Sequence, residues 1–223
     1  MKLTSLKFLL STLALWGNVS INAASNEMSA DQAEATKNLL DACTAPRGND
    51  DVEVVKTSIS FGADVNVVEE RSGQTPFMAA VLRGKINIVT YLLENAETLG
   101  IDVYKGEKGG FIPVDGAAFQ GRADIMKLLL DNTSMSATYR STTDGFTPFH
   151  RSCWGRESRH AEVVKLLVEE YGVDINLPGS DQGDDAPKTC LEMTSNSDIQ
   201  EFLEGYVQID PEAATKIDIN DEL

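Results

Sequence analysis

A four-residue turn motif returns along this chain, and that recurrence constrains the fold more than any other feature. It reads Gly73-Gln74-Thr75-Pro76, then Gly110-Phe111-Ile112-Pro113 after 37 residues, then Gly145-Phe146-Thr147-Pro148 after 35 more. Each copy is followed by two short stretches of apolar residues at helical spacing. A period in this range belongs to solenoids, in which no unit buries its apolar face alone and neighbours stack to make one continuous core. Stacking of this kind leaves a long face open to solvent, an architecture suited to binding.

The first strong unit shows how the motif works. Thr75 is placed to cap the free amides of a helix, and Pro76 sits where the missing N–H costs nothing. Phe77, Ala80 and Val81 then share a face, Gly84 ends the helix, and Ile86, Ile88, Val89, Leu92 and Leu93 form a second apolar stripe. The next unit repeats this with Ala117-Ala118, Gly121, Ile125-Met126 and Leu128-Leu129-Leu130. The third has Phe149, Ser152-Cys153, Val163-Val164 and Leu166-Leu167-Val168. Small residues in each first helix let the paired helices approach, and the aliphatic clusters fill the space between units.

The segments Thr147-Pro148-Phe149-His150, Ala79-Ala80, Val163-Val164-Lys165-Leu166-Leu167, Gly62-Ala63-Asp64-Val65-Asn66 and Gly172-Val173-Asp174-Ile175-Asn176 resemble the ankyrin repeat. The resemblance runs from about Asp31 to Tyr206. It implies an all-α solenoid of helix–turn–helix units joined by short hairpin turns, with a repeat domain over 30–205 and strong units at 71–106, 107–142 and 143–178. A degenerate first unit runs from Asn38-Leu39-Leu40 through Val54-Val55 to Asn66, and a degenerate last unit holds Thr189-Cys190-Leu191, Ile199 and Phe202-Leu203. The middle unit departs from the pattern: Ile112 replaces the capping Thr and Asp115, like Met78, stands where the family has His, so a looser repeat is expected there. Glu94 to Gly106 and Leu177 to Lys188 exceed the usual length and read as loops.

The resemblance places partner contacts on the hairpin tips and the open side of each first helix. Matched position by position, these are Arg71, Gln74 and Arg83 in one unit, Lys108, Phe111 and Gln120 in the next, and Thr143, Phe146 and Trp154 in the third. Phe111, Phe146 and Trp154 are the expected hydrophobic anchors in the concave groove. The implied function is a non-catalytic protein-interaction module or scaffold.

Catalytic chemistry finds little support. His150 and Cys153 share a helix face three residues apart, as a base and thiol nucleophile require. By resemblance, however, His150 bonds backbone and Cys153 fills a small core slot. A metal site built on His150, Cys153 and His160 lacks a further ligand at a suitable spacing. The glycines between Gly106 and Gly110 lack the Gly-Lys-Ser/Thr ending of a phosphate loop, and adjacent carboxylates such as Glu69-Glu70 lack the spacing of a calcium loop. No enzyme and no cofactor are therefore expected. The cysteines Cys43, Cys153 and Cys190 are odd in number and imply no disulfide framework. Cys43 and Cys153 lie three units apart, and a Cys153–Cys190 bridge, though between adjacent units, is not expected.

Charge and termini bear on the address. A formal charge of −16 excludes non-specific attraction to nucleic acid, and it favours a partner with a basic surface. From Asp181 to Leu223 there are 12 acidic residues against Lys188 and Lys216. Lys2 and Lys7, the apolar run Phe8 to Trp16, and Ala23-Ala24 form the three parts of a secretory signal over 1–24, with no membrane insertion expected once it is removed. Asn132-Thr133-Ser134 is an N-glycosylation sequon, expected in an inter-repeat loop. The acidic tail 206–223 ends Asn220-Asp221-Glu222-Leu223, similar to the Lys-Asp-Glu-Leu retrieval signal except at Asn220. The expected location is the endoplasmic reticulum lumen, with secretion as the alternative.

Overall fold

A computed structural model describes residues 28–46, 49–182 and 187–209. The leader over 1–24 and, from residue 210 on, the acidic tail with its terminal Asn220 to Leu223 lie outside the described residues. Within them the chain is helical, with no strand: α1 (Ala30–Thr44), α2 (Val52–Ser60), α3 (Pro76–Arg83), α4 (Ile86–Glu94), α5 (Ala96–Leu99), α6 (Pro113–Phe119), α7 (Ala123–Asn132), α8 (Pro148–Cys153), α9 (Ser158–Glu169), α10 (Cys190–Met193) and α11 (Ser197–Ile209). The pairs α1/α2, α3/α4, α6/α7, α8/α9 and α10/α11 stack in chain order into the expected solenoid.

The turn motif does what its residues dictate. The Thr75 hydroxyl accepts from Met78 N–H at 3.2 Å and the Thr147 hydroxyl from His150 N–H at 3.4 Å. In the middle unit, where Ile112 offers no hydroxyl, the Asp115 carboxylate reaches back to accept the Ile112 N–H at 3.1 Å and ties the helix start in another way. The turn glycine is required twice over. Gly110 sits at φ +79°, and a Cβ there would lie 2.5 Å from Thr143 Oγ1 of the following hairpin.

Behind each first helix the second helices supply the core. Ile88, Val89 and Leu92 of α4, Ile125, Met126 and Leu129 of α7, and Val163, Val164 and Leu167 of α9 are all buried at the same spacing. The start of each second helix also reaches back one unit. Lys85 Nζ donates to Pro46 O at 3.1 Å and to Asn49 O, Arg122 Nη2 to Leu82 O at 3.1 Å, the His160 Nε2 edge meets Phe119 O at 3.1 Å, and Asn196 Nδ2 donates to Gly155 O at 2.9 Å. Four different side chains thus serve one role, satisfying carbonyls at the end of the preceding unit's first helix or the loop after it.

Three expectations change. Glu94 to Gly106 is not wholly loop: it contains the single-turn helix α5, ended by Gly100 at φ +66°. Asn132 closes α7 rather than lying in a loop, and its amide donates to Leu128 O at 2.9 Å. Cys153 and Cys190, both fully buried, form a disulfide with Cα atoms 5.5 Å apart. Stacking carries positions 37 residues apart into bonding range, which unit-by-unit reading did not anticipate. Cys43 remains free and buried, and burial pushes its thiol up to about 12, which leaves it inert.

The bridge ties α8 to α10 and closes a loop of about one repeat. Replacing both cysteines by serine is expected to destabilise the α10/α11 unit by about 3–4 kcal/mol, most of it loop-closure entropy. Hydrogen exchange of the α11 amides measures this directly, and unchanged protection contradicts it.

Candidate functional site: a cleft across the first helices

The residues of α3, α6 and α8 are buried almost throughout, and only the C-terminal ends of these helices reach solvent, at positions that follow the repeat spacing. Leu82, Phe119 and Trp154 recur one per unit at the same place, with Met78 and Asp115 a turn earlier on α3 and α6. Between them a cleft of about 300 Å³ is lined by Met78, Leu82, Glu107, Phe111, Asp115, Gly116, Phe119, Asp144, Arg151 and Trp154. Gly116 leaves room for it: a Cβ there would lie 3.0 Å from Leu82 Cδ2 and 3.1 Å from Met78 Cε. Phe119 is 54% exposed and Trp154 36%, unusual for large apolar residues on a helix that buries its other faces.

The floor of the cleft is charged. Arg151 is only 5% exposed at its side chain, yet its Nε donates to Asp115 Oδ1 at 2.8 Å and its Nη2 to Asp144 Oδ1 at 2.8 Å. The guanidinium lies over the Phe111 ring, 4.3 Å from its centroid, and 5.8 Å from that of Trp154. Tyr139 donates its hydroxyl to the other oxygen of Asp115. Burial, then that bond and the Asp115 charge, raise Tyr139 well above the ordinary phenol range, so it stays a donor. A buried carboxylate thus has a cation, a phenol and the Ile112 amide as partners, the full satisfaction that such a group demands.

Of the nine surface residues expected from sequence, Phe111 and Trp154 line the cleft. Phe146 is half-buried and backs Trp154 edge-on, ring centroids 4.8 Å apart, so it supports an anchor instead of presenting a free one. Gln74, Lys108 and Thr143 join hairpin to hairpin: Gln74 Nε2 donates to Glu107 at 3.0 Å, Lys108 N–H to Ser72 O at 2.9 Å and Thr143 Oγ1 to Gly109 O at 3.2 Å. Arg71 and Arg83 are exposed and Gln120 half-buried, and none of them lines the cleft. The residues equivalent to Trp154 are Leu82 and Phe119, one position before Arg83 and Gln120, and it is they that line the cleft. The repeat spacing of 37 and 35 residues, applied to Trp154, would have found them.

His150 bonds on both sides. Its Nε2–H donates to Leu177 O at 2.9 Å, and its Nδ1 is 2.7 Å from the Thr147 hydroxyl, which completes the cap. With Cys153 in a disulfide, the base–thiol pair does not exist. Among the described residues no group of three His, Cys, Asp or Glu side chains is placed to hold a metal ion, and no helix is long and apolar enough to cross a membrane.

The family model for ankyrin repeats in three copies matches residues 39–139 and 106–178. The chain belongs to the ankyrin repeat family. Ankyrin repeats serve as protein-interaction modules, and the cleft spans the C-terminal ends of the first helices of three of them. Among curated proteins the chain is similar to alpha-latrocrustotoxin-Lt1a of Latrodectus tredecimguttatus, 30% identical over 130 residues that cover 58% of this chain and 8% of that protein. It is also similar to alpha-latroinsectotoxin-Lt1a of the same organism, 29% identical over 139 residues, 62% of this chain and 9% of that one. Either relative is thus matched over a small part of its own length.

Two outcomes follow for the ankyrin groove. Arg151→Leu leaves Asp115 buried without its cation and is expected to cost about 3–5 kcal/mol in urea denaturation, part of it recovered when Asp115→Asn is added. Burial, reinforced by the Arg140 and Arg151 charges and opposed by the Leu177 bond, holds His150 below its ordinary 6.5. The unfolded chain then takes up that proton first, so the stability contributed by neutral His150 is complete above pH 6.5 and declines as pH falls below it. The urea midpoint of the wild type should drop more between pH 7.5 and 5.5 than that of His150→Gln, and equal drops contradict the assignment.

Proposed function

We propose that this protein is a non-catalytic interaction module of the secretory pathway, which captures a protein partner in the groove of its ankyrin repeats. The observation that carries this reading is the cleft across α3, α6 and α8, whose exposed Phe119 and Trp154 flank a fully satisfied charged floor. Phe111 and Trp154 are the anchors, joined by Leu82 and Phe119, with Arg71, Arg83 and Gln120 on the margin and Phe146 as support. The excess of acidic residues favours a partner with a basic surface.

Two features support passage through the secretory route. A buried disulfide between Cys153 and Cys190 suits an oxidising compartment, and the leader over 1–24 has the parts of a cleavable signal. Asn220 to Leu223 favour retention in the endoplasmic reticulum lumen, and the exposed Asn132 is then an acceptor for glycan. A second reading, a secreted effector acting on another cell's proteins, takes its support from relatives that are named as toxins.

Expression of the full chain and of a form lacking Asn220 to Leu223 in eukaryotic cells separates them. Escape of the truncated form alone into the medium supports a luminal resident, whereas equal secretion of both supports the effector. Retention of both forms in the cytosol, without glycan at Asn132, contradicts the secretory reading itself.

A further inference from the structure

The cleft carries more chemical information than an apolar groove does. Its lining holds three carboxylates, Glu107, Asp115 and Asp144, against one cation, Arg151. That cation is spent: Asp115 takes its Nε, Asp144 its Nη2, and Phe111 covers its face. Glu107 accepts a hydrogen bond from the neutral Gln74 amide and has no ion-pair partner among the described residues. The site therefore offers a carboxylate awaiting a cation, beside two exposed aromatic rings.

That combination selects its occupant. A Lys or Arg side chain lays an apolar stem on aromatic rings, directs its charge at ring faces and ends on a carboxylate. An acidic side chain is repelled by the net negative lining, and a neutral apolar one covers Glu107 without replacing its water. The volume of about 300 Å³ is at the small end of ligand pockets, suited to one long side chain and part of its neighbours. Gly116, in the slot held by Ala79 and Arg151 in the flanking units, keeps the floor open for it.

Resting on the groove reading above, we propose that the cleft between Glu107, Phe119 and Trp154 is a subsite for a lysine or arginine side chain, presented by a partner segment with apolar residues on either side. The site specifies the partner's chemistry at one position and leaves the remaining contacts to the hairpin tips.

Selection of a random peptide library displayed on phage against the full, disulfide-intact chain tests this. Enriched peptides should carry a Lys or Arg flanked by apolar residues. Replacing that residue by citrulline or norleucine, which keep the shape and remove the charge, should weaken binding about tenfold, as should Glu107→Gln or Phe119→Ala in the protein. Glu107→Gln retains a partner for Gln74, and Phe119 is exposed, so both variants should keep the wild-type Tm. Enriched peptides that lack a cation yet are lost with Phe119→Ala overturn the cation subsite and leave the groove reading intact. Peptides indifferent to Phe119→Ala and Trp154→Ala, or no enrichment at all, count against both.

Discussion

Every other feature of this molecule depends on contact between neighbouring repeats. Helices of six to twelve residues, such as α8 and α9, are too short to persist alone in water. Their apolar faces are buried partly against the partner helix and completed by the next unit, where Ile88, Ile125 and Val163 repeat one interlocking position. The side chains at the start of the second helices add direction to that contact. Lys85, Arg122, His160 and Asn196 each bind carbonyls of the unit before, so the stack has a fixed order and a fixed spacing.

A stack so regular makes its irregularities informative. Gly116 occupies the interior of a helix, where glycine has a low intrinsic propensity but a Cβ would crowd Leu82 and Met78, Arg151 occupies a buried slot that is Ala79 two units earlier, and Asp115 stands where the family has His. All three departures meet at one cleft. Proteins break local rules where function asks for it and compensate nearby, and here the compensation is visible: Arg151, Tyr139 and the Ile112 amide together satisfy Asp115. The bonds among Arg151, Asp115, Asp144 and Tyr139 fix the floor beneath the exposed Phe119 and Trp154.

What the sequence made legible was local. Caps at Thr75 and Thr147, glycines at the turns and aliphatic spacing in α4, α7 and α9 are short-range signals, and they were enough to define the solenoid. What escaped was set by contacts between units. The Cys153–Cys190 bridge links residues that become neighbours only once the repeats are stacked. Arg151 gave no signal because a buried arginine is recognisable only beside its carboxylates, and those lie seven and 36 residues away. Leu82 and Phe119, rather than Arg83 and Gln120 beside them, line the cleft, and adjacent positions at the end of a short helix are told apart only once the neighbouring repeat is in place.

On the proposal above, this protein meets its partner at the cleft across the ends of α3, α6 and α8. Amide chemical-shift mapping on addition of a bound partner segment tests that most directly. The largest changes should fall on Leu82, Gly116, Phe119 and the Trp154 indole, with α4, α7 and α9 quiet. Changes centred on those outer helices instead would show that the partner binds the opposite side of the stack.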